Sequence, residues 1–474
     1  MSAEIDLKQC FKAYDVRGVV GQTINEEAVE AIGAAFVDVL GLGGREVLVG
    51  GDMRPSSADF CQAFARGATY RGANVKMLGL ISTDELYFAA GKHNAAGVVF
   101  TASHNPAQYN GIKMSKAGAV PISSETGLYD IRDVAQGYLD EGLPVSGDAP
   151  QGTISELDVL GDYAAYLREL VDLSQIRPLK IVVDAGNGMA GMTTPAVLGD
   201  AVLPGLPLEI IDLYFELDGT FPNHPANPLE PENLRDLQAA VLQHGADMGL
   251  AFDGDADRCF VIDEKGEPLS PSAITALVAV REIARVQKDG EQTPTIIHNL
   301  ITSKAVPEFV TRAGGKPVMT RVGHSFIKAE MARQGAVFGG EHSAHYYFRD
   351  FFNADTGMLA AMHVLAALGS QPLPLSEFGA EYEPYTATGE INSEVEDKQG
   401  AVDRVLEHFA GQPVVVQRLD GTTISAQDGS WWINLRPSNT EPYLRFNGEG
   451  AQASVITPIR DTVLGIVREN AKTK

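Results

Sequence analysis

The sequence predicts an α/β protein: three similar α/β domains with mixed sheets around a central cleft, plus a smaller α+β domain at the C-terminus. Three observations support this prediction. First, 474 residues exceed what one core supports, so about three or four domains are expected. Second, a unit of strand, polar loop, helix-length stretch and second strand recurs three times. Third, the pattern changes after about Gly379.

The three copies of the repeat each begin in an apolar, β-branched run and end in a second strand with an unusual loop. They occupy residues 46–106, 180–258 and 295–345. Because α/β sheets place ligands at the carboxyl ends of their strands, the loops that follow these strands are the candidate functional segments.

Stretches rich in Gly, Pro and Ser separate the copies, at residues 142–158, 264–272 and 368–378, and predict linkers. Four domains follow from this division. The predicted domains are 1–152 with a serine loop, 153–264 with an acidic loop, 265–370 with a Glu/His/Ser loop, and 371–474 with a loop rich in hydrogen-bond donors.

The composition excludes several classes of protein. A net charge of −25, from 37 basic and 62 acidic residues, opposes binding to nucleic acid or to an anionic membrane. No apolar run reaches the roughly 18 residues of a membrane span, since the longest, near 357–368, is short and contains His363. Cys10, Cys61 and Cys259 are widely spaced without a CxxC, which favours reduced thiols. With a polar N-terminus, we expect a soluble, cytoplasmic protein.

The first candidate loop is TASHNP, with Ser103 at its centre. It follows the apolar run 98–100, and Asn105 and Pro106 favour a tight turn that projects the serine. Lys113 supplies positive charge ten residues on. The alternative is a turn with a capping serine. A GxSxG elbow is absent and no triad partners are evident, so acyl transfer is not expected.

The second is DGDADR, which repeats aspartate at every other position, as Asp253, Asp255 and Asp257. In an extended segment these carboxylates would point the same way and repel, unless a hard cation such as Mg²⁺ binds them. An EF-hand fails, because its sixth position needs Gly and is Arg258, and residues 259–262 resemble a strand. A solvated acidic loop is the remaining alternative.

The third is GGEHSAH, in which Glu341 and Ser343 lie two residues apart and suit vicinal sugar hydroxyls. A zinc site is the competing interpretation, since His342 and His345 are close, but no HExxH frame is present.

The fourth is RPSNTEPYLR, whose guanidiniums, hydroxyls, amide and turn N–H groups suit a phosphate. A simple hairpin turn is the alternative. The phosphate-binding candidates are Arg436, Ser438, Asn439, Thr440 and Arg445.

Two basic clusters suit the same substrate class. They are Tyr14 and Arg17 in KAYDVRG, and Arg321, His324 and Lys328 in RVGHSFIK.

Taken in order, these motifs resemble the signature set of the α-D-phosphohexomutase superfamily, and most closely its bacterial phosphomannomutase/phosphoglucomutase branch. The resemblance extends from about Phe11 to Arg445. It implies that Ser103 carries a transferable phosphoryl group, that the RPSNT loop holds the other phosphate, and that Glu341 and Ser343 bind sugar hydroxyls. It also implies Mg²⁺ bound by Ser103, Asp253, Asp255 and Asp257.

The resemblance predicts a phosphomannomutase that interconverts mannose 1-phosphate and mannose 6-phosphate through a hexose 1,6-bisphosphate, which also serves as activator. His342 replaces the Gln typical of the amino-sugar branch. Arg258 and Lys113 would offset phosphoryl charge, and Lys113, His104 and His324 are candidates for the general base. A phosphoglucomutase, a phosphosugar phosphatase and a phosphosugar sensor are the alternatives, and a monomer or dimer is expected.

Overall fold

A computed structural model describes residues 5–145, 150–438 and 442–469, apart from the side chains of residues 324 and 325. The chain divides into two compact units. Unit 1 contains Met1–Leu269 and Ser343–Phe378. Unit 2 contains Ser270–His342 and Gly379–Lys474.

The helices and strands follow in four groups along the chain. The first group is β1 (Val16–Val19), α1 (Glu26–Leu40), β2 (Glu46–Gly51), α2 (Ser57–Tyr70), β3 (Asn74–Leu80), α3 (Thr83–Lys92), β4 (Ala96–Phe100), β5 (Tyr109–Lys116), β6 (Val120–Pro121), α4 (Leu128–Glu141) and β7 (Ile154–Glu156). The second is α5 (Leu160–Leu170), β8 (Leu179–Asp184), α6 (Ala190–Val197), β9 (Leu208–Leu213), α7 (Arg235–His244), β10 (Met248–Phe252), β11 (Cys259–Asp263) and β12 (Pro268–Leu269). The third is α8 (Pro271–Lys288), β13 (Thr295–Asn299), α9 (Ala305–Arg312), β14 (Lys316–Thr320), α10 (His324–Gln334), β15 (Phe338–Gly340), β16 (Tyr346–Phe348), β17 (Ala354–Asp355) and α11 (Gly357–Gly369). The fourth is α12 (Leu375–Ala380), β18 (Thr386–Ala387), β19 (Ile391–Glu394), α13 (Lys398–His408), β20 (Val414–Gln417), β21 (Thr422–Ala426), β22 (Trp431–Pro437), β23 (Tyr443–Gly450) and α14 (Ala453–Arg468).

The repeat predicted from the sequence is present in all three copies. In each, the first strand lies between two parallel neighbours: β2 between β3 and β4, β8 between β9 and β10, and β13 between β14 and β15. Strands β4, β10 and β13 are buried along their whole length, which explains their continuous apolar runs. The predicted α/β class is therefore confirmed.

Antiparallel hairpins make the first two sheets mixed and position the chemistry-bearing loops. Strand β5 pairs antiparallel with β4, and β11 pairs antiparallel with β10. The loop that joins β4 to β5 contains Ser103, and the loop that joins β10 to β11 contains the three aspartates. Both loops therefore leave the carboxyl end of a buried strand, where α/β sheets bind ligands.

The C-terminal part of unit 2 has a different architecture, as predicted. Its antiparallel sheet has the order β18-β23-β22-β21-β20, with β19 also paired to β23. Side chains from this sheet and from α13 and α14 form a separate hydrophobic cluster, which includes Val405, Phe446 and Val463. This segment is a small α+β domain with its own core.

Part of one predicted linker is structured. Within residues 142–158, β7 pairs in parallel with Val75–Met77 of β3 and covers that edge of the sheet. Although its side chains are exposed, its backbone satisfies hydrogen-bonding groups that an open edge would leave unpaired. The apolar run near residue 360 is α11, which is buried throughout. No helix in the described residues is both long and apolar enough to cross a membrane.

Helices α1 and α2 pack unusually closely because glycine lies at their contact. A Cβ added at Gly67 would lie 1.9 Å from the carbonyl oxygen of Glu30. Gly137, in α4, has no atom within 4 Å of such a position. The two glycines therefore differ in packing although both lie inside helices.

We expect Gly67→Ala to destabilise unit 1 by about 1–3 kcal/mol, because the helices must move apart. Gly137→Ala is the matched control and should stabilise by about 0.5–1 kcal/mol through helix propensity. Thermal unfolding followed by circular dichroism measures both changes. Equal transition midpoints for the two variants would contradict the close contact.

Candidate active site

Ser103 occupies a strained turn at the end of β4. Its φ is 49°, in the left-handed region that residues other than glycine adopt rarely. Its N–H donates to Thr101 Oγ1 at 3.0 Å, and the Asn105 N–H donates to the Ala102 carbonyl at 2.9 Å. Such backbone strain costs about 1–3 kcal/mol and is typical of functional turns.

The hydroxyl of Ser103 points toward the acidic loop. Its Oγ donates to Asp253 Oδ2 at 2.8 Å and lies 3.1 Å from His104 Nδ1. Ser103 is only 6% exposed. The serine loop and the acidic loop, 150 residues apart in sequence, thus form one site within unit 1.

The three aspartates converge as predicted, but for a different reason. One carboxylate oxygen of each lies within 4.8 Å of the others, and the side chains are at most 1% exposed. The segment is a turn rather than an extended strand: Ala256 is left-handed, with φ of 61°, and its N–H donates to the Asp253 carbonyl. The turn, not strand alternation, aims the carboxylates at one point.

Two cationic side chains neutralise part of this charge. Lys113 Nζ donates to Asp255 Oδ2 at 2.7 Å and also to Asp257 Oδ2. Arg258 Nε donates to Asp253 Oδ2 at 2.9 Å. Three carboxylates with two cations leave one net negative charge in a buried site, which favours a further cation.

The same site has unsatisfied oxygen atoms. Asp255 Oδ1 and Asp257 Oδ1 are buried and have no hydrogen-bond partner among the described residues. Buried carboxylate oxygens without a donor are the ligands that hard divalent cations prefer. The residues present therefore fit Mg²⁺, held by Asp253, Asp255 and Asp257 beside the Ser103 oxygen.

Two aspartates of this group have shifted pKa values. Burial raises the pKa of Asp253 to about 6, although Arg258 opposes the shift. Burial also disfavours the charged form of Asp255, but Lys113 and the hydroxyl of Thr83 outweigh it and lower its pKa. Thr83 Oγ1 donates to Asp255 Oδ2 at 2.7 Å.

His104 and Lys113, two of the three general-base candidates, both interact with charged side chains of the acidic loop. Burial and the neighbouring Arg258 lower the pKa of His104 to about 2, and Arg258 Nη2 donates to its Nδ1 at 2.7 Å. Lys113 has a pKa raised well above its ordinary value, because the attraction of Asp255 and Asp257 exceeds the effect of burial. Lys113 therefore suits charge compensation, whereas His104 is neutral, and neither side chain suits proton abstraction. The side chain of the third candidate, His324, lies outside the described residues.

His345 and Asp355 belong to this site and were not selected from the sequence. His345 Nδ1 lies 2.9 Å from Asp355 Oδ2 and 3.9 Å from Asp257 Oδ1. Its backbone also pairs with that of Arg258. The GEHSAH motif contained His345, but only the competing zinc interpretation used it. Among the described residues, two groups of side chains could hold a metal ion: Asp253, Asp255 and Asp257, and Asp257, His345 and Asp355. Neither group contains Glu341 or His342.

Arg17 also contacts the serine loop. Its Nη1 donates to the Ala102 carbonyl at 3.1 Å and to the Asn105 side chain, and its Nη2 pairs with Asp15. Tyr14 is half-buried in the loop before β1. The KAYDVRG motif is thus part of the same site through Arg17.

In unit 2, Glu341 is held in one orientation. It is 2% exposed, and its Oε1 accepts from Asn299 Nδ2 and from the Gly323 N–H, both at 3.2 Å. Arg321 is exposed and its guanidinium lies 4.4 Å from the ring centroid of Phe326. Ser343 belongs to unit 1 and is half-buried.

The predicted phosphate loop concentrates positive charge on β22 and β23. Arg436 and Arg445 are directly opposite in the antiparallel pairing, and both lie near Glu390, at 3.8 and 3.4 Å. Lys398 Nζ donates to the Ser438 carbonyl at 3.1 Å. Paired cations facing each other repel, and a bound dianion would relieve that repulsion. Lys398 was not selected from the sequence, and Asn439 and Thr440 lie outside the described residues.

Known proteins of one family match nearly the whole chain. The family descriptions "Phosphoglucomutase/phosphomannomutase, alpha/beta/alpha domain I", "domain II", "domain III" and "C-terminal domain" match residues 8–137, 161–266, 270–385 and 390–466. A phosphomannomutase of Salmonella montevideo is 40% identical over 442 residues, which cover 93% of this chain and 94% of the relative. A phosphomannomutase of Escherichia coli K12 is 39% identical with the same coverage. The crystal structure of a phosphoglucomutase/phosphomannomutase family protein from Burkholderia thailandensis superposes with a TM-score of 0.83 at 28% identity, covering 98% of this chain and 99% of that one.

We expect Asp255→Asn to weaken Mg²⁺ binding about 10-fold or more, because it removes a charged ligand beside an unsatisfied oxygen. Calorimetric titration with MgCl₂ measures the affinity directly. Asp263→Asn, at the far end of β11, is the matched control and should bind Mg²⁺ normally. An unchanged affinity in Asp255→Asn would place the metal site elsewhere.

Proposed function

The chain belongs to the phosphoglucomutase/phosphomannomutase family, and we propose that it interconverts mannose 1-phosphate and mannose 6-phosphate through a phosphorylated Ser103. It is a mutase, and therefore an isomerase. The proposal adds to this class the substrate, the covalent serine and a hexose 1,6-bisphosphate as both intermediate and activator.

The observation that carries the proposal is the contact of the Ser103 hydroxyl with a buried cluster of opposite charges. Asp253 Oδ2 accepts from the Ser103 hydroxyl at 2.8 Å, and Arg258 Nε donates to the same oxygen at 2.9 Å. Phosphoryl transfer depends on charge neutralisation and on holding the reacting oxygens in line. A serine held against charged groups of both signs meets these needs.

Bound Mg²⁺ would supply further charge stabilisation to the transferring phosphoryl group. The residues of the chain perform the remaining tasks. Lys113 and Arg258 offset the charges of the phosphoryl group and the carboxylates. The low exposure of Ser103 restricts water, which would otherwise hydrolyse the phosphoserine.

For the proton of the attacking sugar hydroxyl, we propose His345 as acceptor on geometric grounds. Its Nδ1 is paired with Asp355, so its Nε2 is the nitrogen left to contact a substrate. His104 and Lys113 are occupied by Arg258 and by the aspartates, respectively.

Unit 2 carries groups for the rest of the substrate. We assign Glu341 to the sugar hydroxyls, because Asn299 and Gly323 fix the orientation of its carboxylate, an acceptor group that suits hydroxyl donors. We assign Arg436, Arg445 and Ser438 to the phosphate that is not transferred. The bisphosphate must turn end for end, so this phosphate site would bind either phosphate of the intermediate.

The names of the most similar relatives support mannose as the preferred sugar. Glucose phosphates remain an alternative, since they differ only at the 2-hydroxyl. A phosphatase is disfavoured by the burial of Ser103, which limits access of water.

The three cysteines are free and buried, which supports the proposed cytoplasmic location.

Ser103→Ala should abolish mutase turnover and leave substrate binding nearly unchanged, since only the covalent acceptor is removed. A coupled assay for hexose 6-phosphate measures turnover, and calorimetry measures binding. Ser115→Ala is the control: Ser115 is buried on β5 and its hydroxyl has no partner among the described residues. Near-normal turnover of Ser103→Ala would exclude the covalent scheme.

Phosphorus NMR should show mannose 1-phosphate consumed faster than glucose 1-phosphate when both are supplied with Mg²⁺ and a trace of hexose 1,6-bisphosphate. Growth of the 6-phosphate signals ranks the two sugars. Faster conversion of glucose 1-phosphate would reverse the proposed preference. Release of inorganic phosphate alone would identify a phosphatase.

A further inference from the structure

Arg54 lies behind the serine loop and binds its backbone. Its Nη2 donates to the carbonyls of Ser103 and Asn105 at 2.9 and 2.7 Å. Its Nη1 donates to the carbonyls of Pro106 and Tyr109, both at 2.9 Å. One guanidinium thus binds four carbonyls along seven residues of the loop.

The orientation of Arg54 is itself fixed from several sides. Its Nε donates to Asp52 Oδ2 at 3.2 Å, and neither side chain is exposed. Ser57 Oγ donates to Asp52 Oδ1 at 2.7 Å, and Asn110 Nδ2 donates to Ser57 Oγ at 3.1 Å. The Phe221 ring centroid lies 5.2 Å from the guanidinium carbon.

The acidic loop also contacts the Ser103 carbonyl, one of the four that Arg54 binds. A Cβ added at Gly254 would lie 2.4 Å from the backbone carbonyl oxygen of Ser103. The Ser103 carbonyl therefore lies between the Arg54 guanidinium and the backbone of the acidic loop. A small movement of this carbonyl would shift Ser103 Oγ relative to Asp253, which it contacts at 2.8 Å.

We propose that Arg54 is a positioning residue for phosphoryl transfer, because it holds the left-handed Ser103 at a fixed place beside the aspartates. It acts through the loop backbone. This inference rests on the proposed phosphoserine. Only arginine suits the task, since its planar group offers five donors in a rigid fork, whereas lysine offers three donors from a single point.

The role of Arg54 in phosphoryl transfer can be separated experimentally from substrate binding. A misplacement of about 1 Å costs about 100-fold in rate when the reacting groups must be in line. Substrate binding, which we assign mainly to groups of unit 2, does not depend on the position of Ser103. The loss should therefore fall on the transfer step and not on affinity.

Arg168 provides a matched control elsewhere in unit 1. It also binds three carbonyls, that of Val197 at the end of α6 and those of Gly199 and Pro204 in the loop that follows, at 2.7, 2.7 and 2.5 Å. None of these residues belongs to the candidate site. Arg168→Lys should lower the thermal midpoint and leave turnover normal.

The test compares Arg54→Lys, Arg168→Lys and the unmodified enzyme. Dephosphorylated enzyme is mixed with glucose 1,6-bisphosphate and Mg²⁺, quenched, and analysed for phosphoserine by mass spectrometry. We expect Arg54→Lys to form phosphoserine about 100-fold more slowly, with KM changed less than about threefold. Arg168→Lys should match the unmodified enzyme.

Phosphoserine formation at the normal rate in Arg54→Lys would overturn the inference, whatever its thermal midpoint. If Arg54→Lys does not fold, Ser57→Ala decides, because it removes one restraint on Asp52: a slower transfer step at unchanged KM supports the inference, and a normal rate overturns it. Absence of phosphoserine from the unmodified enzyme would instead refute the proposed function.

Discussion

The mutual repulsion of Asp253, Asp255 and Asp257 is the constraint on which the site in unit 1 depends. One carboxylate oxygen of each lies within 4.8 Å of the others and away from solvent. Each close pair of such charges costs about 3–4 kcal/mol at the effective dielectric near a protein surface, and more in a drier interior. The loop cannot hold three buried carboxylates unless cations converge on it.

Those cations come from separate elements of the fold. Lys113 lies on β5 of the first sheet, whereas Arg258 leads into β11 of the second. Lys113 is 142 residues from Asp255 in sequence, so docking of the two sheets creates the neutralised site. A protein with net charge −25 thus places two cationic side chains beside Ser103, where the proposed phosphoryl group would lie. The same docking orders the serine loop, because Ser103 itself binds Asp253.

The sequence was sufficient for those features that are local. The α/β class follows from strands that alternate with helix-length stretches, and the serine and acidic loops follow from unusual residues directly after two of those strands. The left-handed Ala256 was not foreseen, since alternating aspartates were interpreted as an extended segment. The composition of residues 142–158 predicts a linker and gives no sign of β7, because the side chains of this strand are exposed and only its backbone is paired.

Features that depend on contacts between residues distant in sequence could not be predicted from the sequence pattern. Arg54 stands in GDMRPSS, which resembles an ordinary turn, and its role appears only when the loop 49 residues later folds over it. His345 and Asp355 meet the acidic loop from a segment almost 90 residues farther along the chain. Arg54 and Asp355 lack a local signal, because their function depends on which distant groups they contact and not on their own neighbours in sequence.

A serine that both gives and receives a phosphoryl group must be equally well placed in two half-reactions. A flexible loop would allow either reaction but would also admit water and lower the rate of both. In the proposed mechanism, the strained φ of Ser103 therefore needs an external restraint that would not change on phosphorylation of the serine. Bonds to backbone carbonyls meet this requirement, because the phosphoryl group alters the side chain and leaves the carbonyls as they are. A buried arginine behind the loop, held by its own aspartate, restrains the backbone while the charges in front of it change.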